Sequence, residues 1–139
     1  MISPVSITKN YILQPGLLEK HRKTLEWMSA VLLWKRELAF FQKLLDQYAP
    51  KFTDVEDKKK IDHFQNILIY YNAEVTGELR RKLIDHETRL ATMLETMDES
   101  RTDYYKEHDG VMQDLEAFSR SFITYKEDLF HFIEKAMDK

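Results

Sequence analysis

Trp27, Val31, Trp34, Leu38, Phe41, Leu45 and Tyr48 follow one another at steps of four, three, four, three, four and three residues. That alternation keeps one stripe of a helix turned toward its neighbours, whereas a strand would need apolar groups at every second position. The same spacing returns from Tyr104 through His108, Val111, Leu115, Phe118, Phe122, Tyr125, Leu129 and Phe132 to Ala136. Between them Ile61, Phe64, Leu68, Tyr71, Val75, Leu79, Leu83, His86, Leu90, Met93 and Met97 take ten steps over 36 residues, the period of one straight, uninterrupted helix. With three glycines and three prolines in 139 residues, few places remain for such runs to break.

The breaks that do exist divide the chain. Pro15-Gly16 separates an N-terminal arm (1–16) from a first helix over about 17–48, with Glu19 in its first turn, where the helix dipole favours an acid. Pro50 ends it. Thr53-Asp54-Val55-Glu56 is a capping-box pattern, and a second helix over about 54–98 would be about 67 Å long at 1.5 Å per residue. Gly77 lies off its seam without an accompanying proline or polar cluster, which predicts a local weakness or a close contact rather than a loop. Ser100-Arg101-Thr102-Asp103 opens a third helix over about 102–137. The expected fold is all-α: one domain over 1–139, an antiparallel up-down-up bundle of three long helices with an N-terminal arm. The alternative is a four-helix bundle with the second helix broken near Gly77.

Several function classes lose support on composition. A net charge of -3 gives no global field to gather nucleic acid, and the clusters Lys58-Lys59-Lys60 and Arg80-Arg81-Lys82 read as solvated helix faces. The absence of cysteine excludes disulfides and thiolate sites and accords with a reducing compartment. The N-terminus lacks the pattern of a secretory signal, and the run Trp27 to Trp34 is too short to cross a bilayer, so a cytoplasmic protein without membrane contact is expected.

Chemistry has few residues to stand on. No Glu-x-x-His occurs, the nearest being a single Asp128-x-x-His131, and the repeated His-x-x-x-His spacing of hemerythrin-type sites is missing. If the helices turn near residues 51 and 100, residues at equal height have numbers summing to roughly 102 and 200. The closest histidine pairs, His86 with His108 and His63 with His131, are then about 9 Å apart along the axis, and no multi-histidine site is expected. There is no glycine-rich phosphate loop and no Gly-x-Ser-x-Gly. Neither enzymatic activity nor a cofactor is expected. Four polar positions stand out in apolar surroundings: His86 and His108 on their seams, His131 within Leu129 to Ile133, and Glu37, which lies between Trp34, Phe41 and Tyr48 on one side and Leu33, Phe40 and Leu44 on the other. Glu37 is expected to pair with a Lys or Arg from a neighbouring helix or to reach solvent at the rim, because a lone buried charge is costly.

The same height rule brings Ala30 to Trp34, Ile67 to Tyr71 and Leu129 to Ile133 to one level, each apolar nearly all round. A helix apolar on every side is normally buried on every side, which three helices cannot supply for Met28, Leu32 and Tyr70. Met28, Leu32, Ile67, Tyr70, Phe130 and Ile133 are therefore the candidate interaction surface, covered by the folded-back arm or by a second protein molecule. The stretch Leu33-Trp34-Lys35-Arg36-Glu37-Leu38-Ala39-Phe40-Phe41-Gln42-Lys43-Leu44-Leu45-Asp46 resembles the first helix of small uncharacterised helical proteins of Bacteroidetes-type bacteria. That resemblance implies a bacterial cytoplasmic bundle and carries over no functional residue. The function expected is a non-enzymatic bundle acting through protein contacts, with itself (a homo-oligomer) or another protein as partner. The alternative is a bundle that binds a small ligand or metal through Glu37, Asp128 or His131.

Overall fold

The computed structural model describes residues 15–96 and 101–138. All of these except Phe52, Thr53, Asp54 and Asp138 are helical, and no strand occurs among them. Helix α1 (Pro15–Tyr48) runs into a short 3-10 turn (Ala49–Lys51). Helix α2 (Val55–Tyr70), a π-helical turn (Tyr71–Val75) and α3 (Thr76–Thr96) form one unbroken run, and α4 (Arg101–Met137) follows. The described residues thus make three helical runs, and the alternative with a break near Gly77 is not observed. An added Cβ at Gly77 would meet nothing within 4 Å, so the glycine marks no close contact either.

Local details differ from the sequence reading for identifiable reasons. α1 begins at Pro15, which carries Glu19 past the first turn, and Glu19 instead lies 3.5 Å from Arg22 one turn on. The N-cap of α2 is Asp54, not Thr53, and no side chain caps it. Glu56 therefore stands one position too early to close a capping box, although it and Asp57 still occupy the first turn, where the dipole favours acids. Residues 1–14, Met97, Asp98 and Ser100 lie outside the described residues.

The second run is continuous but not uniform. The backbone N–H of Thr76 bonds the carbonyl of Tyr71, five residues back, so the turn between them is wider than an α turn and takes up one extra residue. Its signal lies in the sequence. Tyr71, Val75, Leu79 and Leu83 are three successive steps of four, each overshooting the α period by about 40°, and a wider turn absorbs that drift.

The chain forms two compact units. The first takes its described residues from 15–32, 78–96 and 101–116, the second from 33–77 and 117–138. In the first, Leu17, Leu90, Met93 and Tyr104 form a cluster with Leu94 and Tyr105 packed at its edge. In the second, Trp34 meets Phe118 edge-on at 5.0 Å, Phe41 meets Phe122 at 6.2 Å, and Tyr71 meets Phe118 at 4.9 Å. Phe52, in the connection before α2, stacks on Phe132 at 4.3 Å. Such ring pairs contribute about 0.5–1.5 kcal/mol each beyond the area they bury. Trp34 and Phe41 of the α1 seam are therefore core, while Trp27 is half-buried and Phe40 is an exposed neighbour. Among the described residues no helix is long and apolar enough to cross a membrane.

Candidate functional site

The first unit holds a polar chain that runs from the exposed Arg89 inward to the buried His86 and His108. Glu107 on α4 accepts from Arg89 Nε at 3.1 Å and faces His86 Nδ1 at 2.7 Å, while His86 Nε2 lies 2.9 Å from His108 Nδ1. A carboxylate only accepts, so His86 donates from Nδ1; its neutral Nε2 then accepts, and His108 donates from its own Nδ1. The proton positions along the chain follow from Glu107. Tyr104 stacks on His86 with ring centroids 4.4 Å apart and planes 4° off parallel. Burial lowers the pKa of His86 against the opposing pull of Glu107, and burial, with help from His86 and Lys20, lowers His108 to about 4. Both imidazoles are neutral at neutral pH. Burial raises the Tyr104 phenol, whose oxygen has no hydrogen-bond partner among the described residues. On α1, His21 Nδ1 meets the fully buried carboxylate of Glu87.

Side-chain contact between His86 and His108 corrects the expected separation of about 9 Å. Observed partners such as Phe64 with Phe132 and His86 with His108 have numbers summing to 196 and 194, not to 200. An error in the assumed turn position enters that sum twice, and a shift of five residues moves every height by about 7 Å. A cluster of this kind still lacks the ligand count of a metal centre: no group of three or more His, Asp or Glu is placed to hold an ion among the described residues.

The second unit presents an apolar face around an ion pair. Glu37 Oε2 accepts from Lys126 Nζ at 3.2 Å, and the ammonium also lies 4.6 Å from the centre of the Phe122 ring. Leu33, Glu37 and Phe40 are three to four residues apart and share one stripe of α1; Ile123, Lys126 and Phe130 share one stripe of α4. The ion pair sets the two stripes side by side. Leu33 and Phe40 are each 57% exposed, Ile123 50% and Phe130 41%. Phe130 rests edge-on against Phe41 at 5.4 Å, so the outer side chains stand on the aromatic core.

The residues expected to form one surface do not all do so. Leu32 and Tyr70 are exposed and Met28 and Ile67 half-buried, but Ile133 is 1% exposed and belongs to the core. Its place one residue beyond the α4 seam position Phe132 explains this: both face inward, widening the buried stripe. Met28 and Leu32 fall in the first unit, the other four in the second. Of the polar positions, His86 and His108 are buried as their seam placement implies, and Glu37 has its lysine. His131 is not a core residue; it is exposed and lines a groove between α2 and α4, together with Asp128 and His63. Sequence reasoning passed over His21, Glu87, Glu107 and Arg89. The i, i+3 pair Tyr104 and Glu107, on the helix face that carries His108, was the available signal for Glu107.

Comparison with protein-family models, with curated proteins and with solved structures found no match. The function is therefore argued from the chain's own surfaces.

Proposed function

We propose that this chain is a non-enzymatic helical module of the cytoplasm that acts through protein contacts, with a second copy of itself as the partner. The observation that carries the reading is the face made by Leu33, Phe40, Ile123 and Phe130. Its ion pair, Glu37 with Lys126, is satisfied within the chain, and the exposed Arg36 and Glu127 that share its two stripes are of opposite sign, so the face carries no net charge. A neutral apolar patch is complementary to itself, which is what a two-fold symmetric interface requires. Burying a half-exposed leucine or phenylalanine contributes roughly 1 kcal/mol, and a symmetric contact counts each side chain twice. The three helical runs are taken to go up, down and up. In support, α2 and α4 run oppositely where Phe64 meets Phe132 and Tyr71 meets Phe118, whereas α1 and α4 run the same way where Trp34 meets Phe118 and Phe41 meets Phe130.

Solution mass by light scattering tests the proposal, on the wild type and on a Phe40→Glu, Phe130→Glu variant whose helicity is checked by circular dichroism. The expected result is a wild-type oligomer and a folded monomeric variant. The oligomer should also melt at a higher temperature as its concentration rises, and the variant should not. A wild-type chain that stays monomeric at about 100 µM, near the strength of a weak specific contact, defeats the reading.

A further inference from the structure

The groove on the second unit is separate from the apolar face and differs from it in chemistry. Its volume is about 470 Å³. Phe64 from α2 and Tyr125 from α4 lie in its lining, with ring centroids 5.8 Å apart and planes at 75°. The Tyr125 hydroxyl donates to the Phe64 carbonyl at 2.8 Å, so it is not offered to a ligand. Tyr71 continues this aromatic surface, edge-on to Tyr125 at 5.6 Å.

Charge is distributed unevenly along the groove. On α2 the lining begins with Lys60 and ends with Tyr71; on α4 it begins with Ser121 and ends with Lys135. Phe64 packs on Phe132 and Tyr71 on Tyr125, so the two helices run oppositely here, and both lysines come to the same end. Neither lysine has an ion-pair partner among the described residues. His63 and His131 lie one turn inward from them and supply ring nitrogens, and Asp128 one turn further supplies the only carboxylate. Two cations at one end against one acid farther in leave room for one anionic group, and the acid opposes a polyanion that would track the groove's length.

We propose that this groove binds a flat aromatic carboxylic acid, its ring system on Phe64, Tyr71 and Tyr125 and its carboxylate between Lys60 and Lys135. Perpendicular ring pairs receive a planar ring edge-to-face better than they do a flexible alkyl chain. The volume falls within the range of small-molecule sites and suits a body of one or two rings. Asp128 then accepts from a hydroxyl or amino substituent on the ring, and it disfavours a second carboxylate at that point. The proposal does not depend on self-association.

The test is titration calorimetry near neutral pH with 1-naphthaleneacetate and its neutral isostere 1-naphthaleneethanol. The acid is expected to bind at least about tenfold more tightly than the alcohol. A Lys60→Gln, Lys135→Gln variant, changed only at exposed positions, should bring the two affinities together while leaving helicity intact. Thr124→Trp, which fills the groove from an exposed lining position, should weaken both ligands. Equal binding of acid and alcohol by the wild type, retention of the acid preference in the double lysine variant, or no binding of either up to about 1 mM would each overturn the proposal. The Phe40→Glu, Phe130→Glu variant must retain the acid preference, which separates this site from the contact face.

Discussion

His86 and His108 have folded-state pKa values below their ordinary 6.5, chiefly through burial. Lys20 on α1 and Arg89 on α3 add positive charge near the pair, while Glu107 and Asp109 on α4 pull the other way. The unfolded chain therefore binds more protons than the folded one between pH 6.5 and about 4, and stability must fall as pH drops through that window. The loss should be on the order of 3 kcal/mol by the bottom of the window. A His108→Asn variant should be less stable near pH 7 yet lose less on going to pH 5, as thermal melts at the two pH values would read; parallel profiles would refute this. Tyr104 and Tyr125, both buried, make an opposed pair. Tyr125 donates to a backbone carbonyl, so Tyr125→Phe should cost about 1 kcal/mol, whereas the Tyr104 hydroxyl has no partner among the described residues, and Tyr104→Phe should leave stability unchanged or raise it by up to about 1 kcal/mol. Urea denaturation of both variants decides the matter, and the ordering should not reverse. Which tyrosine is satisfied was not legible in the sequence, because Tyr104 and Tyr125 occupy equivalent seam positions and differ only in what the facing helix brings opposite them.

The π turn between α2 and α3 is where one residue can be spared. Asn72, Ala73 and Glu74 within it are exposed. Deleting Ala73 should convert the turn to ordinary α geometry and leave Leu68 and Leu79 both facing inward. Deleting the exposed Arg81, inside α3, rotates everything beyond it by about 100° against Leu79 and should cost more than about 2 kcal/mol. Thermal unfolding followed by circular dichroism compares the two, and equal losses would show that the turn accommodates nothing. Seam spacing made each helical run legible because burial follows the period directly: all ten seam residues of α4, from Tyr104 to Ala136, are buried. Seams do not say which flank of one helix meets which flank of the next. The stripe of Leu33, Glu37 and Phe40 could be drawn from spacing alone, but its neighbour Ile123, Lys126 and Phe130 could not. Nor could the reciprocal amide pair of Gln42 and Gln65, at 2.9 Å in both directions, which ties α1 to α2.

At the level of the molecule, scarce glycine and proline with sustained apolar periods made an all-α chain legible before any contact was known. The division into two compact units was not, since the seams of α1 and α4 pass through 32 and 116 without a change of step, and the three steps of four around Gly77 point to a wider turn rather than to a boundary between units. The groove was hidden for a related reason: Lys60 and Lys135 are 75 positions apart and look like ordinary solvated lysines until α2 and α4 are set alongside. The order of segments carries a consequence for biosynthesis. Each unit is assembled from stretches separated in the chain, and the second takes its last stretch from 117 onward, after the first has received all of its own. A growing polypeptide emerging from the ribosome therefore completes one unit while the other still waits for its final helix segment, and no single proteolytic cut can release either one whole.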